Sequence, residues 1–381
     1  MPAAHLWVDT DAGFDDLLAI AALAVHEKRL KLVSTTSGAC ETPTAGADRV
    51  ARLLSRLGRD DVMVVAGRCA PHVAPAPWLV EARRAMLRWA AKTLGSPRPR
   101  GTGVEASRGS RTVFARRSYD ADGFAPFVID EVGAELALRA KGPYDALCLG
   151  PLTNVARVLE RNDVPVASTT VMGSDPARSP TGPNADADGD VSGRRTARAA
   201  PSDEARARPL RSAVDLRPLR PERPSEELSA PPRVRPEGPR AGGNALGADE
   251  PEFNFACDPE AAALVVATAP GLRVCGLDAC APGVEAAAAA LRHETSVFAS
   301  LYTTDAYAAR CDPVAAFLAS STGAAAFDVV SAAASVDEAT GVLTADGGAR
   351  SVAVATRLAD REAYAAWLLG ASRGAAWRDA A

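Results

Sequence analysis

The chain has 381 residues, of which 47% are hydrophobic, and a formal net charge of −4 at pH 7. This hydrophobic content is sufficient for a buried core, so we expect a globular protein. The charge provides no basic field that would attract nucleic acid or a membrane surface, which makes a small molecule the expected partner.

The sequence around the N-terminus and the distribution of cysteine and histidine exclude several further classes. Residues 1–9 lack the basic and apolar regions of a signal peptide, and no later stretch has the length and apolar character of a membrane span. We therefore expect a soluble cytoplasmic protein. The seven cysteines form no CxxC pair and the four histidines are scattered. This pattern disfavours a disulfide framework, structural zinc and a multi-histidine metal site.

Predicted strands and helices alternate along the chain, which favours an α/β fold with a mostly parallel central sheet flanked by helices, similar to a Rossmann fold. Such sheets bind ligands at the carboxyl ends of their strands. Predicted strands cover residues 5–9, 30–35, 61–66, 144–149, 167–172, 327–333, 342–345 and 351–355. Predicted helices cover residues 15–27, 44–57, 126–140, 153–161 and 361–369. Further units of the alternation are expected at 259–267, 272–277 and 312–319.

One segment departs from this alternation. Residues 174–243 are rich in Pro, Arg, Ser, Ala and Asp and contain almost no large apolar run, which is typical of disordered or loosely ordered chain. We therefore predict a single α/β domain made of residues 1–173 and 244–375, with 174–243 as an insertion. The arginines of the insertion could contact a polyanion, but a solvated loop is the favoured interpretation.

Four carboxylates, those of Asp9, Asp11, Asp15 and Asp16, lie within eight residues at the end of the first predicted strand. Acidic residues at a helix N-terminus would explain Asp15 and Asp16, because they stabilise the helix dipole. Asp9 and Asp11 need another explanation. Carboxylates so close together repel one another unless they point into solvent or share a cation, and oxygen ligands favour a hard ion such as Ca²⁺ or Mg²⁺.

The run DTDAGFDD at residues 9–16 resembles the N-terminal signature of the inosine-uridine-preferring nucleoside hydrolase family. Further blocks of the chain are similar to that family in the same order. They are LGPLTNVA at 149–156, VMG at 171–173, GN at 243–244, EFNFACDPEAA at 252–262 and DPVA at 312–315. The resemblance covers most of the chain and implies the nucleoside hydrolase fold.

The resemblance implies hydrolysis of the N-glycosidic bond of ribonucleosides to ribose and free base, as in purine and pyrimidine salvage. It implies a Ca²⁺ ion held by the carboxylates of Asp11, Asp16 and Asp312 and by the carbonyl of Thr153. Asp11 would be the base that deprotonates a calcium-bound water. The residues implied to surround the ribose are Asp15, Met172, Asn244, Glu252 and Asn254. Family members are commonly dimers or tetramers, so a homodimer or homotetramer is expected.

Simpler interpretations exist for several of these positions. Asn244 could be a turn residue, and Glu252 with Asn254 could lie in an exposed loop. The Asp-Pro-Glu sequence that follows them, however, predicts the start of a helix at the spacing of the family. Tyr302 and Tyr307 lie near the position of the family's aromatic base contacts, but ordinary packing explains them equally well.

The chain also departs from the family pattern around the substrate. The asparagine expected to support the catalytic carboxylates is Ala39, and the family's HGxDG block is represented at best by residues 119–123. The histidine that helps to protonate the leaving base is Cys311, and a thiol is a poor general acid at neutral pH. These changes concern catalysis more than folding.

Two alternatives to a nucleoside hydrolase follow from the residues. A metal-binding pseudoenzyme that retains a ribosyl ligand without turnover is suggested by Ala39 and Cys311. A phosphatase with an aspartyl nucleophile at Asp9 and an acid at Asp11 would also begin with a strand followed by DxD. In that motif, however, Gly13 stands where Thr or Val is expected, and the GPLTN and DPEAA blocks have no explanation.

Overall fold

The structure is a computed structural model that describes residues 4–40, 42–67, 143–162, 164–173, 177–178, 251–280, 284, 288–294, 306–345 and 350–375. Its strands are β1 His5–Thr10, β2 Leu30–Thr35, β3 Met63–Ala66, β4 Tyr144–Cys148, β5 Val166–Met172, β6 Ala177–Arg178, β7 Arg273–Cys275, β8 Phe327–Ala333, β9 Ser335–Val336, β10 Leu343–Ala345 and β11 Ser351–Leu358. Its α-helices are α1 Phe14–His26, α2 Pro43–Arg56, α3 Thr153–Arg161, α4 Phe253–Cys257, α5 Pro259–Thr268, α6 Cys311–Ala319 and α7 Arg361–Gly374. Short 3₁₀ helices cover Ala289–His293, Ala306–Ala309 and Ala324–Ala326.

Within these ranges, eight strands form one sheet in the order β3-β2-β1-β4-β5-β7-β11-β8. Neighbouring strands are parallel except for β8, which is antiparallel to β11 at the edge of the sheet. The chain runs outward from β1 to β3 and then crosses to the other side of β1 with β4. This reversal makes the carboxyl ends of β1 and β4 the topological switch point, where α/β sheets bind their ligands.

Both faces of the sheet are covered, as a parallel sheet requires. Along β1, Leu6 and Val8 face the layer that contains α1, α2, α6 and α7, whereas Trp7 faces the layer that contains α3 and α5. The alternation follows from the period of two residues in a strand. None of the described helices has the length and apolar character that a membrane crossing needs.

The predicted fold class is confirmed, and the bounds of β2, α3 and β8 coincide with the predicted ones. The five-residue helix α4 was not predicted, and the predicted helix at 126–140 lies outside the described residues. Within the predicted insertion, Ala177–Arg178 forms a short strand parallel to β10, in a second sheet of order β6-β10-β9. The rest of 174–243 lies outside the described residues, so the proposed domain division stays a prediction.

The Asp258 side chain links α3, the helix that follows β4, to α5, the helix that follows α4. It is fully buried and accepts the N–H of Ala261 (3.3 Å), which caps the first turn of α5. It also accepts the hydroxyl of Thr153 (2.7 Å), the first residue of α3. One carboxylate therefore fixes α5 against the helix that begins beside the switch point.

We predict that Asp258→Ala destabilises the protein by about 2 to 4 kcal/mol, because it removes a helix cap and leaves a buried hydroxyl without its acceptor. Urea unfolding followed by circular dichroism measures the change. Glu260→Gln, an exposed change in the same helix, is the control and should shift stability by less than about 0.5 kcal/mol. Equal effects of the two changes would contradict the assignment of Asp258.

Candidate functional site

The candidate site lies where β1 ends, between the loops that follow β2 and β4. Main-chain hydrogen bonds hold the end of β1 to the loops on either side of it. Thr36 N–H donates to the Thr10 carbonyl, and Leu149 N–H donates to the Asp9 carbonyl, both at 2.8 Å. The backbone that carries the carboxylates is therefore held on both sides. This arrangement gives the site a rigid base.

A tight turn connects β1 to α1 and orients Asp16. Ala12 adopts φ +57°, a left-handed conformation that is unfavourable for a residue with a Cβ and is typical of functional turns. Ala12 N–H donates to the Thr10 hydroxyl (3.0 Å), and that hydroxyl donates to Asp16. Gly13 N–H also donates to Asp16 Oδ2 (3.1 Å). The Asp16 carboxylate therefore has a fixed orientation at the N-terminus of α1.

The Asp11 carboxylate is held by the loop after β2. It is 4% exposed, and its Oδ2 accepts the main-chain N–H of Ala39 at 2.7 Å. A Cβ on Gly38 would lie 2.0 Å from the same oxygen, so only glycine permits this approach. On the other side, a Cβ on Gly150 would lie 2.8 Å from Asp11 N. The main chain thus contacts Asp11 at the position where the family resemblance led us to expect an asparagine side chain.

Asp15, Asp16 and Asp312 form an acidic cluster. One oxygen from each carboxylate lies within 4.8 Å of the others, and Asp16 and Asp312 are buried while Asp15 is half-buried. Asp312 is in the first turn of α6, which packs against α1. Three oxygen donors at this spacing, in a setting that excludes much of the solvent, are the donor set of a hard divalent cation. The residues present therefore fit a metal ion of this type.

The electrostatics of the cluster support this conclusion. Burial raises the pKa of both Asp16 and Asp312 well above the usual range, and the charges of Asp11 and Asp15 add to the effect on Asp16. The two buried carboxyls are hydrogen-bonded to each other. A bound cation would favour their ionised forms and offset the repulsion between them. Asp11 lies close enough to this cluster for its charge to be felt by Asp16.

Glu252 and Asn254 flank the site from the other side of the β4 loop. Both are buried, so they do not form the exposed loop that was one interpretation of this stretch. Glu252 caps α4 by accepting the N–H of Asn254 (2.8 Å) and of Phe255 (3.2 Å). Burial, and to a smaller extent the charge of Asp11, raises the pKa of Glu252 to about 7 against the lowering effect of the backbone hydrogen bonds. Asn254 Nδ2 donates to the Leu149 carbonyl (2.9 Å) and lies 3.6 Å from Met172 Sδ.

A hydrogen-bond network around Asp9, two residues before Asp11, was not predicted from the sequence. Asp9 is fully buried, and its Oδ1 accepts Asn154 Nδ2 (2.7 Å) and the Ser34 hydroxyl. Trp7 Nε1 donates to Ser34 in turn (2.8 Å), and Asn154 also donates to the Thr35 carbonyl (3.2 Å). Burial raises the pKa of Asp9, the hydrogen bonds from Asn154 and Ser34 offset part of this effect, and the resulting pKa is about 7. The asparagine of the GPLTN block was the one available signal for this network.

Cys311 faces the same group of carboxylates. Its thiol is hydrogen-bonded to that of Cys280, and this contact, together with burial and the charges of Asp15 and Glu252, raises its pKa well above the usual range. The thiol therefore keeps its proton at neutral pH. This agrees with the expectation that Cys311 is a poor general acid.

The structure brings most of the predicted site residues to one edge of the sheet. Asp15, Asp16 and Asp312 form the acidic cluster, and Asp11 lies close enough for its charge to act on Asp16. Thr153 opens α3 beside the switch point, and Met172 ends β5. Asn244, Tyr302 and residues 119–123 lie outside the described residues, and of residue 307 only its place in a 3₁₀ helix is described. The roles assigned to these residues stay predictions.

Comparisons with known proteins agree with the fold. The chain resembles the structure of an inosine-uridine preferring nucleoside hydrolase from Bacillus anthracis, with 14% identity, a TM-score of 0.54 and coverage of 98% of this chain and 100% of that one. It also resembles a purine-preferring ribonucleoside hydrolase from Gardnerella vaginalis, with 15% identity, a TM-score of 0.55 and coverage of 97% and 99%. At these identities the likeness concerns the fold alone.

A direct search of curated protein sequences found no match to the chain. The family model described as inosine-uridine preferring nucleoside hydrolase, however, matches residues 6–369. This range includes the carboxylate run after β1, the loop after β4, the α4 region and the start of α6. The chain therefore belongs to the inosine-uridine preferring nucleoside hydrolase family, as its sequence motifs predicted.

Proposed function

We propose that the protein hydrolyses the N-glycosidic bond of ribonucleosides and releases ribose and a free base. The observation that carries the proposal is the buried Asp11 carboxylate, fixed by the Ala39 N–H at 2.7 Å beside the cluster of Asp15, Asp16 and Asp312. Family membership supports the same reaction. The resemblance of the motifs further suggests a cytoplasmic role in purine and pyrimidine salvage.

In the proposed mechanism Asp11 accepts a proton from the attacking water. Its position suits this role, because a main-chain N–H fixes one of its two oxygens and no side-chain rotation is needed at the moment of reaction. Cleavage of the C–N bond develops positive charge on the ribose, which the nearby carboxylates stabilise. We assign the ribose contacts to Asp15, Met172, Asn244, Glu252 and Asn254.

We further propose Ca²⁺ as the metal, held by the carboxylates of Asp11, Asp16 and Asp312 and by the carbonyl of Thr153. Asp15 lies in the same cluster and can bind the ion or the ribose. When bound, the ion supplies positive charge that lowers the pKa of a water and anchors ribose hydroxyls. In the absence of the ion, burial and the neighbouring carboxylates raise the pKa of Asp312, which favours its neutral form.

Asp11→Asn should lower kcat by about 10² to 10⁴ and leave the melting temperature close to that of the unchanged protein. The amide has the shape of the carboxylate but cannot accept the proton of water. Base release from inosine measures the effect. Asp328→Asn, a change of an exposed carboxylate on β8, is the matched control and should keep full activity. A fully active Asp11→Asn would remove Asp11 from the mechanism.

A panel of inosine, uridine, adenosine and cytidine, assayed before and after chelation of divalent cations, tests the function itself. We expect release of the base from at least one nucleoside, loss of this activity on chelation and recovery with added Ca²⁺. If no base is released while ribose still raises the melting temperature, the protein is a ribosyl-binding relative without turnover, and the hydrolase proposal is wrong.

The weak acidity of Cys311 leads to a prediction about the leaving group. Because this thiol keeps its proton, nucleosides whose base must be protonated should react slowly. p-Nitrophenyl riboside, whose leaving group needs no protonation, should exceed inosine in kcat/KM by about 10² or more. Comparable values for the two substrates would mean that another group donates the proton.

The raised pKa values also predict how the cation stabilises the fold. The pKa values of Asp16 and Asp312, raised well above the usual 3.8, favour the neutral carboxyls in the cation-free protein. Their stabilising contribution is complete below the unfolded pKa values and is lost as pH rises through the raised ones.

Cation binding, in contrast, needs ionised carboxylates. The stabilisation by Ca²⁺ relative to chelator should therefore increase from about pH 5 to about pH 7.5, reaching about 3 kcal/mol in unfolding free energy at a hundredfold excess over Kd, and the melting temperature should rise with it. Differential scanning fluorimetry in paired buffers measures it. A difference that is constant or decreases over this range would argue against a carboxylate-bound cation.

A further inference from the structure

Strand β8 forms one edge of the large sheet, and this edge is open to solvent. The strand pairs with β11 on one side, and no other strand of the described residues lies on its other side. Residues 328–331 are all exposed. Val329 and Val330, each 48% exposed, are the large hydrophobic residues that the described chain leaves exposed. Because successive side chains of a strand point to opposite faces, the two valines show that both faces of this edge are open.

The hydrogen bonds around β11 show which main-chain groups of β8 face outward. Ala334 N–H donates to the Arg350 carbonyl (3.2 Å), which makes these residues a hydrogen-bonded pair in the register of the two strands. Such pairs alternate with non-bonded pairs along an antiparallel ladder. Ala353, opposite Ser331, accordingly donates its N–H to the Leu272 carbonyl on the far side of β11 (3.2 Å). The residues of β8 whose N–H and C=O groups point away from β11 are therefore Val329, Ser331 and Ala333.

The middle of β8 lacks the features that usually protect an edge strand. Natural sheets prevent edge-to-edge pairing with proline, with lysine or another charge, or with a bulge. Residues 329–333 have the sequence VVSAA, which contains no charge and no proline. The one charged residue of the strand, Asp328, lies near its start and forms an ion pair with Arg357 of β11. The irregularity in the pairing of β8 with β11 lies at the same end. The rest of the edge can accept another strand.

We propose that β8 is the contact surface for a second copy of the chain, so that two antiparallel β8 strands join two large sheets into one. A two-fold axis relates the copies and passes beside Val330, which lies opposite Val330 of the partner subunit. In this register Val329 pairs with Ser331 of the partner subunit. Both residues direct their main-chain groups outward, so each such pair can exchange two hydrogen bonds.

This register suits the side chains as well as the main chain. Val330 and its counterpart form a non-hydrogen-bonded pair, the type in which side chains are closest. Asp328 lies opposite Ala332 of the partner subunit, so the two acidic groups are at opposite ends of the contact and keep their ion pairs with Arg357. A shift by one residue would place main-chain groups that already bond to β11 against groups that face outward. The strand is thus complementary to a copy of itself, as a two-fold interface requires.

Sedimentation velocity of the full chain over a series of concentrations tests the proposal. We expect a reversible association step, and Val330→Lys should raise its Kd roughly tenfold or more, because like charges directly opposite each other repel. Since Val330 is half exposed, the melting temperature should change little. Ala267→Lys adds the same charge at an exposed position of α5 and should associate like the unchanged protein. An unchanged chain that is monomeric throughout the series would overturn the proposal, as would Val330→Lys protein that associates normally.

A pair of opposite charges tests the two-fold register itself. Val330→Glu alone should also fail to associate. An equimolar mixture of the Val330→Lys and Val330→Glu proteins should form the dimer again, because each lysine then lies opposite a glutamate. A mixture that stays monomeric would overturn the two-fold pairing at Val330. These measurements need no enzymatic activity, so their outcome is independent of the proposed function.

Discussion

The structure depends on keeping several carboxylates close together in a buried place. Asp9, Asp11, Asp16, Asp312 and Glu252 are each at most 6% exposed. Buried charges without partners cost several kcal/mol each, and like charges in contact cost more. The protein meets this cost with N–H and hydroxyl donors aimed at individual oxygens, and with raised pKa values that let some of the carboxyls remain neutral until a cation is present.

Those donors come from elements that the fold brings to one edge of the sheet. The end of β1 and the turn after it supply Thr10 and Gly13 to Asp16, the loop after β2 supplies Ala39 to Asp11, and α3 supplies Asn154 to Asp9. Many of these donors are main-chain groups, which explains how the site tolerates departures from the family pattern. Ala39 illustrates this, because its N–H donates whatever its side chain is.

Local patterns in the sequence predicted much of the fold. The valine-rich and leucine-rich runs located β1 to β5, and the carboxylate run after β1 located the site, because both signals lie within short stretches of chain. The meeting of Asp312 with Asp16 was accessible only through the family resemblance, since the two are far apart in sequence. The short helix α4, the hydrogen bond from Asn154 to Asp9 and the contact between Cys280 and Cys311 were missed. Each depends on tertiary packing that no local periodicity records.

The packing of α6 against α1 has a consequence for how the protein matures. Asp312 reaches the acidic cluster only when α6 packs against α1, and most of the 381 residues lie between these two helices in the sequence. On a ribosome, the strands around β1 can pair long before α6 has been synthesised. The part of the sheet that is synthesised first must therefore remain soluble while the acidic cluster still lacks Asp312. Cation capture is then a late event, which stabilises a fold that is already formed and does not nucleate it.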